Sequence, residues 1–118
     1  MLFRSEHNDN ITRKLEEIRK ILDLIYYPVG EAYYYYALAL NFRLAKNRKM
    51  LVLNAEKALS ICENNKICSD IYGWILITLG IIYSKYKEIN ECKLIVEKSI
   101  ENFENNRNLN GIIISKLL

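Results

Sequence analysis

Residues 76–100 read LITLGIIYSKYKEINECKLIVEKSI. The stretch holds two helical patterns, one ending near residue 86 and one opening near residue 89. On the first, Leu76, Leu79 and Tyr83 are large residues set around Gly80; on the second stand Cys92, Val96, Ser99 and Ile100. Glycine inside a helix costs about 1 kcal/mol relative to alanine. Gly80 therefore needs a reason, and the close approach of a second helix supplies one. The same order of residues stands 41 positions earlier. Tyr35 aligns with Leu76, Leu38 with Leu79, Ala39 with Gly80 and Phe42 with Tyr83. Leu51 aligns with Cys92, Ala55 with Val96, Ala58 with Ser99 and Leu59 with Ile100. Self-similarity at a fixed offset marks a stacked array of small structural units. Small residues (Ala39 and Gly80 on the first helix, Ala58 and Ser99 on the second) let paired helices approach, and the large residues fill the flanking holes.

The expected architecture is all-α: antiparallel helical hairpins stacked in one domain over residues 1–118. Its parts are an N-terminal helix over 10–27, a first repeat over 31–64, a second over 69–105 and a terminal helix over 109–118. Within the repeats the helices are expected over 31–46, 49–63, 69–86 and 89–105. Asn8, Asp9 and Asn10 are N-cap residue types. After them Ile11, Leu15, Ile18, Leu22 and Ile25 form one apolar face at helical spacing. The opposite face carries Arg13, Lys14, Glu16, Glu17, Lys20 and Asp23, with Glu16 and Lys20 at a favourable i,i+4 spacing. Pro28 and Gly30 are read as the stop of this helix. Tyr33, Tyr34, Tyr35 and Tyr36 are consecutive. Together they cover every side of a helix, so some rings pack while others face solvent or a ligand.

Composition narrows the function. A length of 118 residues fits one domain, 51% apolar content builds a core, and 26% charged content reads as globular. Net charge is +3, with 17 basic residues dispersed among 14 acidic ones. That balance is too mild and too mixed for a nucleic-acid partner. Three cysteines, Cys62, Cys68 and Cys92, form no paired spacing, and His7 is the single histidine. No disulfide framework, metal site or cofactor is expected, and the cytoplasm is the natural compartment. The longest uncharged stretch, 71–84, is too short to span a membrane and reads as a buried helix. No acid or histidine is paired with a nucleophile, so no catalytic residue is assigned.

The large residue, Leu-Gly and Tyr of residues 76–83, followed by small residues on the second helix, resemble the tetratricopeptide repeat. The period of 41 exceeds the usual ~34. In that length, KALSICENNK and DIYGWILITLGIIYSKYKEINECKLIVEKSIENFENNRN are similar to the long repeats of the Rap, NprR and PlcR regulators. Those are Gram-positive bacterial proteins that bind short secreted signalling peptides. The resemblance covers residues 31–118 and implies a right-handed solenoid whose first helices line a concave surface. By repeat position that surface holds Tyr33, Tyr36, Leu40, Arg43 and Leu44 from one copy, and Trp74, Ile77, Thr78, Ile81 and Lys85 from the other. Aromatic anchors with cations suit an apolar peptide bearing an acidic group. The implied function is non-catalytic protein or peptide binding in bacterial regulation.

The C-terminal GIIISKLL carries Ile112, Ile113, Ile114, Leu117 and Leu118 and little polar face. A solenoid needs polar caps at its ends. These residues are therefore assigned to an interface with a partner or a second copy. The rival function is structural: oligomerisation through apolar terminal helices, with nothing bound in the concave face.

Overall fold

The computed structural model describes residues 2–85 and 89–117, with side chains described from residue 10 onward. Every regular element among them is a helix: α1 (Leu2–Leu22), α2 (Pro28–Leu44), α3 (Arg48–Asn64), α4 (Asp70–Lys85), α5 (Ile89–Asn105) and α6 (Leu109–Lys116). Neighbours in sequence pack together. The most extensive contacts are α2 on α3 and α4 on α5, followed by α5 on α6 and α3 on α4. The molecule measures 38 × 35 × 23 Å. Its thinnest dimension is about two helix diameters.

Three helix ends share one backbone geometry. Helix α3 ends with Lys66 at φ 53° and α5 with Arg107 at φ 55°, 41 residues apart, and α2 ends the same way with Lys46 at φ 56°. Each left-handed residue lets the next amide reach back to a helix carbonyl: Asn47 to Phe42 (2.9 Å), Ile67 to Cys62 (2.8 Å) and Asn108 to Phe103 (2.8 Å). These closures satisfy carbonyls that a helix end leaves unpaired. Asn47 then caps α3 by accepting from the Met50 amide (3.3 Å), and Asn108 caps α6 by accepting from the Gly111 amide (3.0 Å).

The core follows the small-residue logic. Ala39, Ala55, Ala58 and Ser99 are fully buried, as are Ile75 and Leu79. Gly80 is buried, with its carbonyl 3.4 Å from Cys92 Sγ. The tightest approach, however, lies at Phe103. This ring is fully buried. A Cβ placed on Gly73 would lie 2.6 Å from it, and a Cβ on Gly111 would overlap its ring carbons. Trp74 tilts against the same ring, with centroids 4.8 Å apart. Asn102 and Asn106 tie the preceding turn to α5 by donating to the Cys68 carbonyl at 2.9 and 2.7 Å.

Several expected boundaries move. The first helix starts at Leu2, so Asn8, Asp9 and Asn10 lie inside it rather than capping it. Asn and Asp cost only a few tenths of a kcal/mol in a helix interior, and the residue types alone overstated a cap. The helix ends at Leu22, not residue 27. Pro28 does not stop it. Proline forces the preceding residue out of the helical region, and Tyr27 is extended at φ −145°, ψ 81°. Pro28 then opens α2, where its missing amide costs nothing, and Gly30 lies within that helix. The ion pairs of α1 are made by Arg19, with Asp23 and Glu31, rather than by Glu16 and Lys20. The terminal helix closes at Lys116. Residue 86, placed in the helix over 69–86, lies outside the described residues, as does Leu118.

Candidate functional site

Helix α1 lies less closely on α2 than the other sequential pairs lie on one another. The result is an open groove of about 530 Å³. Leu15, Ile18, Ile21 and Leu22 of α1 form one wall, Gly30, Tyr33, Tyr34 and Ala37 of α2 the other, and Ile25 and Tyr27 close one end. Leu15 and Leu22 are buried at the base, whereas Ile18, Ile21, Ile25, Tyr27 and Tyr33 are exposed. The groove is within the size range of ligand sites, ~300–1,000 Å³. Its walls are almost wholly apolar.

One ion cluster fixes the groove. Arg19 Nη1 donates to Glu31 Oε2 at 2.8 Å, and its Nη2 donates to Oε1. Its Nε donates to Asp23 at 3.0 Å. The guanidinium also lies 4.9 Å from the centre of the Tyr34 ring. Two parallel bonds from a planar donor set both distance and angle between the elements they join. Hydrogen bonding from Arg19 holds the Glu31 carboxyl below its ordinary range. The same bond raises the Arg19 pKa further.

The four tyrosines take four roles. Tyr33 lines the groove, and Tyr34 lies under Arg19. Tyr35 packs edge-on against Tyr34 at 5.1 Å, with the Lys57 ammonium 4.4 Å from its ring centre. Tyr36 turns to α4, its hydroxyl 3.3 Å from Thr78 Oγ1. Because Thr78 spends its proton on the Trp74 carbonyl at 2.9 Å, Tyr36 is the donor.

The residues assigned to the concave surface come together only in part. Arg43, Thr78, Ile81 and Lys85 come together, with Arg48, Leu51 and Ile82, around a cavity of only about 70 Å³. Ile77 and Thr78 are buried, at 4% and 8% exposure. Trp74 is half-buried against Phe103, Leu40 is half-buried, and Arg43, Leu44 and Lys85 are exposed. Tyr33 alone of the set faces the large groove. Of the terminal residues, Ile113, Ile114 and Leu117 are exposed and Ile112 is half-buried. Among the described residues no group of three or more His, Cys, Asp or Glu is placed to hold a metal ion, and no helix is long and apolar enough to cross a membrane. Cys62 is buried, which pushes its thiol up to about 11, while Cys68 is exposed.

The groove residues Leu15, Ile18, Leu22 and Ile25 were visible in the sequence as a packing face, and Ile21 was not among them. The exposure of Ile18 and Ile25 was not visible, because it follows from the loose packing of α1 on α2. No protein-family model, curated protein or solved structure matches the chain.

Proposed function

We propose that the chain is a non-catalytic binding module, a short tetratricopeptide-like right-handed stack of hairpins, which holds an apolar helix or peptide of a partner in the groove between α1 and α2. The observation that carries this reading is the groove itself. Exposed apolar side chains scattered singly are ordinary on a protein surface, but a contiguous set along an open channel is the form of a recognition site. Its walls present residues three and four apart on two helices, the spacing that receives an amphipathic helix. The close packing of α2 on α3 and of α4 on α5 supports the stacked-hairpin reading. Likeness to the long repeats of peptide-sensing regulators makes cytoplasmic peptide or protein recognition in a bacterium the specific form of the proposal.

The small basic cavity at Arg43 and Lys85 is the weaker site, since about 70 Å³ accommodates little more than a few atoms. A structural role through terminal helices is the second reading, favoured by the outward large residues of α6. Site-specific photocrosslinking in the native host tests the proposal. A benzophenone side chain at Ile21 is expected to trap a discrete adduct, whereas one at Glu17, on the charged face of α1, is not. Equal trapping at both positions, or at neither, contradicts the groove as a binding site.

A further inference from the structure

The charge is less evenly spread than its totals suggest. No acidic residue stands between Glu31 and Glu56, a stretch that holds Arg43, Lys46, Arg48 and Lys49. None stands between Asp70 and Glu88, a stretch that holds Lys85. The fold joins the two stretches. Arg43 lies in the last turn of α2, Arg48 is the first residue of α3 and Lys85 the last of α4, and all three line the cavity of about 70 Å³. Lys46 and Lys49 flank Arg48 in the chain, and all five side chains are exposed. Among the described residues Arg43, Lys46, Lys49 and Lys85 form no ion pair, and no carboxylate lines the cavity. Helix dipoles explain only some of these positions. A cation in the last turn of a helix is favourable, which suits Arg43 and Lys85. Arg48 and Lys49 instead open α3, the end where a cation is disfavoured, and no acid stands in that first turn. Like charges gathered on one surface repel each other and draw anions to it. The buried residues of the cavity, Leu51, Thr78 and Ile82, form its floor. The Thr78 hydroxyl is already engaged by Tyr36 and the Trp74 carbonyl, so the floor offers an anion no free donor. An oxyanion therefore belongs at the mouth, among the cations.

We propose that this cavity binds the phosphate group of a phosphate monoester, held by Arg43 and Lys85 with Arg48 as the third cation. The site shares no lining residue with the α1–α2 groove, so it goes beyond the groove reading and does not rest on it. Size limits the ligand. A cavity of about 70 Å³ has roughly the volume of two water molecules, room for one oxyanion head and little more. Charge separates phosphate from carboxylate. A carboxylate brings one negative charge to three cations, whereas a phosphate monoester brings close to two, with three acceptor oxygens. The planar guanidinium of an arginine meets such oxygens in pairs. A discrete cavity also favours a single head group over the long backbone of a polyanion.

Nuclear magnetic resonance of the arginine Nε–H groups, at constant ionic strength, tests this with four probes: glycerol phosphate, a pentapeptide carrying one phosphoserine, acetate and a single-stranded oligonucleotide. A phosphate ester is expected to shift Arg43 and Arg48 saturably, and acetate to bind at least ~10-fold more weakly. The tighter of the two esters tells whether the phosphate comes on a small molecule or on a protein side chain. Arg43→Gln and Lys85→Gln are each expected to weaken ester binding by at least ~10-fold, the effect of losing a charged hydrogen bond. Lys20→Gln, an exposed cation of α1, is expected to leave it unchanged. Arg43 and Lys85 are exposed; circular dichroism checks each fold, and Arg43→Ala or Lys85→Ala replaces a variant that fails. No saturable shift with either ester, acetate binding as tightly as phosphate, or binding that survives both substitutions overturns the proposal. So does an oligonucleotide that outcompetes both esters and is weakened by Lys46→Gln and Lys49→Gln as much as by Arg43→Gln, since that result describes a diffuse polyanion surface. None of these outcomes bears on crosslinking at Ile21, so the two sites stand or fall separately.

Discussion

Phe103 is fully buried between Gly73 of α4 and Gly111 of α6, with Trp74 at its edge. Both glycines lie inside helices, where alanine is favoured by about 1 kcal/mol. A rule based on helix propensity therefore predicts that Gly73→Ala and Gly111→Ala stabilise the protein. The packing predicts the opposite sign, since a Cβ at either position overlaps the ring and overpacking a core costs ~1–3 kcal/mol. Chemical denaturation is expected to show both variants destabilised. Adding Phe103→Leu to Gly73→Ala is expected to cost less than the sum of the single changes, because the smaller side chain relieves the overlap. Stabilisation by either alanine contradicts the packing. The sequence drew attention to Gly80 because it stood in the repeat. Gly73 and Gly111 went unremarked because their partner, Phe103, is 30 residues from one and 8 from the other.

At the scale of elements, the periodic helices were legible and the ends of α1 were not. Helix α5 was read at its observed limits, and α3 and α4 to within a residue or two over the described chain. Their apolar positions repeat, and their closing turns carry polar residues. At α1, residue type was a poor guide: asparagines that look like caps sit mid-helix, and the proline that looks like a stop begins the next helix. Arg19 grips Asp23 and Glu31 across that turn. The grip has a pH signature. Arg19 lowers the Glu31 pKa in the folded state, so the pair's contribution is present above the unfolded value of ~4.3 and lost as pH falls through the folded value. Denaturation midpoints are expected to show wild type more stable than Glu31→Gln near neutrality, with the gap closing as the solution is acidified below about pH 4.3. A gap that persists at low pH rules out the ion pair as its source.

Over the whole molecule, the all-helical architecture was legible, and the apolar groove was only half so. The repeat predicted that ligand-facing residues line the first helices. Burial instead took Ile77 and Thr78, and Trp74 leaned on Phe103. Those positions hold side chains that a pattern of residue types cannot distinguish from displayed ones; only the depth of packing does. Tyr33 and the apolar face of α1 were identified separately, and the loose α1–α2 contact joins them. The most direct measurement is a methyl spectrum of protein labelled at isoleucine, titrated with the apolar dye 8-anilinonaphthalene-1-sulfonate. The account predicts shifts at Ile18, Ile21 and Ile25 that saturate together, with Ile75 and Ile82 of the core unmoved. Shifts centred instead on Ile77 and Ile81, or no saturable shift at Ile18, Ile21 and Ile25, would contradict it.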